Sequence, residues 1–114
     1  MKLPAAVRSL GALANGHRLA IYRLLIKQGS DGLPAGVIGE RIGLTPSSLT
    51  FHLQALQRAG LIKQMRLGRQ LIYSADFSAM NDLVGYLTDE CCVEGAACAP
   101  ECGSSRKSKS AKAA

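Results

Sequence analysis

Four cysteines, Cys91, Cys92, Cys98 and Cys102, fall within twelve residues near the end of this 114-residue chain. An even count suits a pair of disulfides, but no secretion signal is expected, because the first residues lack a cationic region followed by a long apolar segment. The reading is therefore a cytoplasmic protein, where clustered thiols stay reduced and more often bind metal or sense redox state. Soft thiolates prefer thiophilic ions to magnesium or calcium. Trivalent arsenic or antimony keeps a lone pair and takes three sulfurs in a pyramid, whereas four thiolates suit tetrahedral zinc or cadmium. Cys91 and Cys92 would project ~100° apart from a regular helix. The helix must then end or fray there, and Gly95 would let the chain turn back so that Cys98 can close a site. The neighbouring acids Asp89, Glu90 and Glu94 raise thiol pKa values, which disfavours a redox sensor that needs a low-pKa thiolate.

The element that leads into this cluster is a helix expected from Asp76 onward. Phe77, Met80, Val84, Leu87 and Cys91 recur at alternating spacings of three and four, a coiled-coil-like stripe broadened by Leu83 and Tyr86. A first helix, opened by Pro4, carries Val7, Leu10 and Ala14 at the same kind of spacing. Such a stripe at the end of a small domain more often meets another molecule than its own core, and Cys91 prolongs it, so that ion capture can reset the angle between two DNA-reading helices.

Between these helices lies a second constellation. Asn15-Gly16 punctuates the first helix, and a second follows with Ile21, Leu24, Leu25 and Gln28 on one stripe until Gly29-Ser30-Asp31-Gly32 stops it. Pro34 opens a short third helix, with Val37, Ile38 and Ile42 facing inward and Gly43 closing it. After Leu44 alone, Thr45 is an N-cap, Pro46 a first helical residue and Gly60 the far stop of a fourth helix. Two helices joined so tightly have the layout of a helix-turn-helix. Leu61–Arg66 and Arg69–Ser74 then read as strands about a Leu67-Gly68 turn, which makes a wing.

On the fourth helix Leu49, Leu53 and Leu56 form a core stripe. Ser47, Phe51, Gln54, Ala55 and Arg58 lie on the opposite side, flanked by Ser48 and Thr50. An exposed Phe51 could meet a thymine methyl in the major groove while Ser47, Ser48, Thr50, Gln54 and Arg58 reach base edges or phosphates. His52 sits beside the leucine stripe, as a DNA contact or as a half-buried, hydrogen-bonded residue. Arg66 and Arg69 bracket Gly68 and would reach the phosphate backbone or minor groove.

Charge supports this division. Residues 1–75 hold ten Lys and Arg against Asp31 and Glu40, whereas 76–102 hold six acids and no Lys or Arg. Residues 103–114 add Arg106, Lys107, Lys109 and Lys112, for a net +6 overall. A basic body facing a polyanion and an acidic segment with another task fit that pattern. The longest apolar run, Leu19–Ile26, is broken by Arg23 and falls short of the ~20 residues that span a bilayer. No phosphate-cradling glycine loop or acid/base pair points to an enzyme.

The phrases LANGHRLAIYRLL (13–25), LTFHLQALQRAGLI (49–62) and GRQLIY (68–73) resemble the ArsR/SmtB family of metal-responsive repressors, over about residues 3–92. The resemblance implies a mainly α winged helix-turn-helix, ordered α-α-α-α-β-β-α, that dimerises through its first and last helices, with Val7, Leu10, Phe77, Met80, Val84 and Leu87 as the interface. It further implies repression at a palindromic double-stranded operator near its own gene, and release when an ion binds. Residues 1–92 would form the DNA-binding and dimerisation domain, 91–102 the inducer-binding segment and 103–114 a disordered basic tail. The third helix lacks the Cys-x-Cys site known in some members, and the last helix lacks the histidines of a zinc site. Cys91, Cys92 and Cys98 instead resemble the arsenic-responsive sub-group with an adjacent cysteine pair and a third cysteine six residues on; Cys102 is an addition to that pattern. As(III) or Sb(III) is the implied inducer. Zn(II)/Cd(II) sensing and thiol redox sensing through the same cysteines are the alternatives.

Overall fold

The computed structural model describes residues 1–95, so the expectations for Cys98, Cys102 and the basic tail at 103–114 lie outside the described residues. Eight elements follow in order: α1 (Leu3–Leu13), α2 (Gly16–Gln28), β1 (Leu33–Pro34), α3 (Ala35–Ile42), α4 (Pro46–Arg58), β2 (Ile62–Leu67), β3 (Gln70–Ala75) and α5 (Phe77–Thr88).

Helix starts are set by local capping. The Asn15 side chain accepts hydrogen bonds from the backbone N–H groups of His17 and Arg18, at 3.0 and 3.1 Å. Thr45 accepts from Ser48 N–H at 3.4 Å and Asp76 from Ala79 N–H at 3.1 Å. Each satisfies a donor that the first helical turn leaves without an intrahelical partner. The core lies where α2, α3 and α4 converge on the sheet: Ile21, Leu25, Ile38, Leu53, Leu56 and Leu61 are its largest fully buried side chains.

The sheet has three antiparallel strands in the order β1-β3-β2, one more than the sequence suggested. Leu33 and Pro34 pair with Tyr73 and Ile72, so Pro34 serves both as a strand residue and as the residue preceding α3. Gly32 makes this approach possible. Its φ is +72°, and a Cβ there would overlap the Tyr73 carbonyl oxygen. The hairpin turn also sits one residue later than expected, at Gly68-Arg69, because Leu67 pairs with Gln70.

At the far end α5 stops at Thr88, and Asp89 leaves the helical conformation at φ −57°, ψ 132°. Cys91 therefore does not continue the stripe of α5, correcting the expectation that it does. Two more members of that stripe, Phe77 and Met80, are half-buried and pack against the chain's own core. Val84 and Leu87 remain exposed, at 51% and 57%, as do Val7 and Leu10 on α1, at 58% and 42%. α1 packs against α5, so both pairs belong to one end of the molecule.

Candidate nucleic-acid interface and thiol site

The two helices of the helix-turn-helix meet at Gly39, whose missing side chain lets Leu49 approach; a Cβ there would lie 3.3 Å from Leu49 Cδ2. Gly43 then takes the left-handed conformation (φ +82°) that ends α3, and the N–H groups of both Gly43 and Leu44 donate to Gly39 O. The chain enters α4 three residues after α3 ends.

With Leu49, Leu53 and Leu56 buried, α4 must present its opposite side outward, and Ser47, Ser48, Thr50, Phe51, Gln54 and Arg58 are all exposed. The Thr50 hydroxyl donates to Pro46 O at 2.9 Å, which leaves its oxygen lone pairs available to an incoming donor. Ala55 is half-buried at the edge of this face. Arg66 lies on β2 opposite Leu71, and Arg69 occupies the turn itself; both are exposed. Gln64 Nε2 donates to Tyr73 Oη across the hairpin at 2.7 Å, tying the wing to a buried ring of the sheet.

Phe51 is 57% exposed but not isolated. The Arg18 guanidinium lies over its ring, 5.5 Å from the centroid, and the His52 ring meets it edge-on at 5.4 Å. Arg18 Nε also donates to His52 Nδ1 at 3.2 Å. His52 is thus a half-buried, hydrogen-bonded histidine with its proton on Nε2, and only that nitrogen is available to a further partner. Desolvation by burial, then the Arg18 charge, then His17 hold its pKa below the ordinary value. Arg18 escaped sequence reasoning because it lies 34 positions from its partner; the only prior signal was a basic residue in the first turn of α2.

The cysteine segment is a run of turns. Cys91 N–H donates to Thr88 O, Val93 N–H to Glu90 O and Gly95 N–H to Cys92 O, at 3.0, 3.2 and 3.4 Å. Glu90 and Cys92 adopt positive φ, +61° and +63°, a conformation costing non-glycine residues roughly 1–2 kcal/mol each. Cys91 is half-buried and Cys92 exposed, with Sγ atoms 3.4 Å apart. Adjacent sulfurs on a non-helical turn escape the ~100° divergence of a helix. As thiolates, this pair fits a thiophilic ion as two of its ligands. Among the described residues no group of three or more His, Cys, Asp or Glu side chains converges on one point, so a third ligand must come from elsewhere.

A helix-turn-helix domain family model matches residues 13–64. A transcriptional regulator of the helix-turn-helix type from Escherichia coli, YgaV, is 31% identical over 87 residues, covering 76% of this chain and 86% of that protein. The homodimeric winged helix-turn-helix domain of a possible ArsR-family regulator from Mycobacterium bovis superimposes with a TM-score of 0.62 at 31% identity, over 76% of this chain and 81% of that one. The chain belongs to the ArsR/SmtB family. The nodulation protein NolR of Rhizobium meliloti is likewise 31% identical over 80 residues, 70% of this chain, although the match spans only 63% of NolR. Membership makes the chain a regulator of transcription with a DNA-binding fold rather than an enzyme. Among the described residues no helix is long and apolar enough to cross a membrane.

Proposed function

We propose that this ArsR-family regulator is a homodimeric repressor that holds palindromic operator DNA through α4 and the wing. In this reading arsenite or antimonite releases it by binding Cys91, Cys92 and Cys98, with Cys102 as a candidate fourth ligand. The observation that carries the sensor half is the end of α5 at Thr88, which places two adjacent sulfurs 3.4 Å apart on a turn. That turn follows directly after the exposed Val84 and Leu87. Ligand capture there acts on the end of a helix that would meet its symmetry mate, without needing Cys91 in the interface. Converting a repressing to a released population from 99:1 to 1:99 needs ~5.5 kcal/mol, or ~2.7 kcal/mol from each of two equivalent sites. Operator DNA must then weaken ion binding by the same factor.

The closeness of the Cys91 and Cys92 sulfurs, 3.4 Å apart, favours a second reading, in which oxidation of the same turn is the signal. Fluorescence anisotropy of labelled duplex from upstream of the gene separates the two. Reduced protein is titrated onto the DNA, then challenged separately with arsenite, antimonite, zinc, cadmium or an oxidant. Release by arsenite or antimonite alone, lost in Cys91→Ser with DNA affinity retained, is the expected result. Release by zinc or cadmium alone moves the site to a tetrahedral ion, and release by oxidant alone makes it a redox switch. A reduced protein with no affinity for that duplex refutes operator binding itself.

A further inference from the structure

An open cleft of about 500 Å³ lies between α1, α2 and α4. Its walls carry Arg8 from α1, Arg18 from α2 and Arg58 from α4, and small residues such as Gly11, Ala12 and Ala55 line the rest. Among the described residues no carboxylate lines it. Three arginines around a small-residue floor give the cleft an uncompensated positive charge, which an anion admitted among them offsets. Arg18 is oriented, not loose. Its Nε is committed to His52 and its guanidinium lies over the Phe51 ring, while the same side chain lines the cleft. Ala55 and Arg58 belong both to this cleft and to the outward face of α4, which makes the cleft continuous with the face that would read bases.

We propose that this cleft is a second DNA contact, which seats a backbone phosphate flanking the stretch read by α4. The inference rests on the operator-binding reading and extends it to Arg8 and Arg18. A phosphate there fixes the position of the recognition helix along its axis, while Arg18 transmits that position to Phe51 through the ring contact. Planar guanidinium groups suit this task, since they offer paired donors to phosphate oxygens.

The test is the salt dependence of binding to the upstream duplex for wild type, Arg8→Gln and Arg23→Gln. Arg8 is exposed, so its replacement leaves the core intact; Arg23 is also exposed but does not line the cleft, and controls for net charge. Each lost phosphate contact lowers the slope of log K against log salt by about 0.9, hence about 1.8 for the two copies in a dimer. Arg8→Gln should show that drop and Arg23→Gln should not. An unchanged slope for Arg8→Gln, or equal drops in both variants, overturns the proposal. Calorimetry with inorganic phosphate adds an independent arm. Phosphate heats abolished by Arg8→Gln, with the DNA slope unchanged, would assign the cleft to a free oxyanion and overturn the DNA contact. A wild-type protein that binds no duplex removes both readings, whereas a slope altered by Arg66→Gln but not by Arg8→Gln removes only this one.

Discussion

Replacing Leu87 with alanine tests the dimer most directly. Leu87 is 57% exposed near the C-terminal end of α5, and its neighbour one turn earlier, Val84, is 51% exposed. Fully burying a leucine side chain contributes roughly 1.5–3 kcal/mol, so covering the exposed half against a partner contributes about 1 kcal/mol. In a two-fold symmetric dimer each substitution occurs twice, which gives about 2 kcal/mol for Leu87→Ala. At 1.4 kcal/mol per tenfold, the dimer dissociation constant should rise about 30-fold. Sedimentation equilibrium across a concentration series reads that constant, with thermal melts as a check that the monomer fold is unchanged. Leu83→Ala is the contrast: Leu83 is 6% exposed and faces inward, so it should lower the melting temperature more than it weakens association. A Leu87→Ala dissociation constant within about threefold of wild type would refute the assignment of this face to a partner subunit. A wild-type protein that stays monomeric throughout would refute it more completely.

Three further outcomes follow from individual side chains. The pKa of His52 is lower in the fold than its ordinary value of 6.5, so the stability it contributes is complete above pH 6.5 and is lost as pH falls through the folded value. Urea denaturation at pH 7.5 and 5.5 should therefore show a larger loss for wild type than for His52→Gln, and equal losses would sink the linkage. Tyr22 is buried and its hydroxyl has no hydrogen-bond partner among the described residues, so Tyr22→Phe should stabilise the protein by about 1 kcal/mol and raise its melting temperature by several degrees. A lower melting temperature would mean that the hydroxyl has a partner in solution. Gly32→Ala should cost about 3 kcal/mol, combining the left-handed backbone penalty with displacement of β1 from Tyr73. A melt unchanged from wild type would refute the β1 pairing.

Features set within a few residues of one another are legible along the chain. Asn15, Thr45 and Asp76 cap helices because a side-chain oxygen can reach an N–H two or three residues ahead. Gly43 ends α3 in a conformation that favours glycine, and the leucine period of α4 divides a core side from an outward side. The hairpin was legible as well, with its turn displaced by one residue, since alternation locates strands better than it locates the pairing register. The rest depends on packing between segments distant along the chain. A two-residue β1 has too little sequence to announce itself, and it exists because β3 offers Tyr73 and Ile72 as partners. Phe77 and Met80 share the apolar period of Val84 and Leu87, but periodicity cannot say which end of a helix its own core has room to cover. The Arg18–His52–Phe51 contact joins helices through positions 34 apart, a proximity created only when α2 packs across α4.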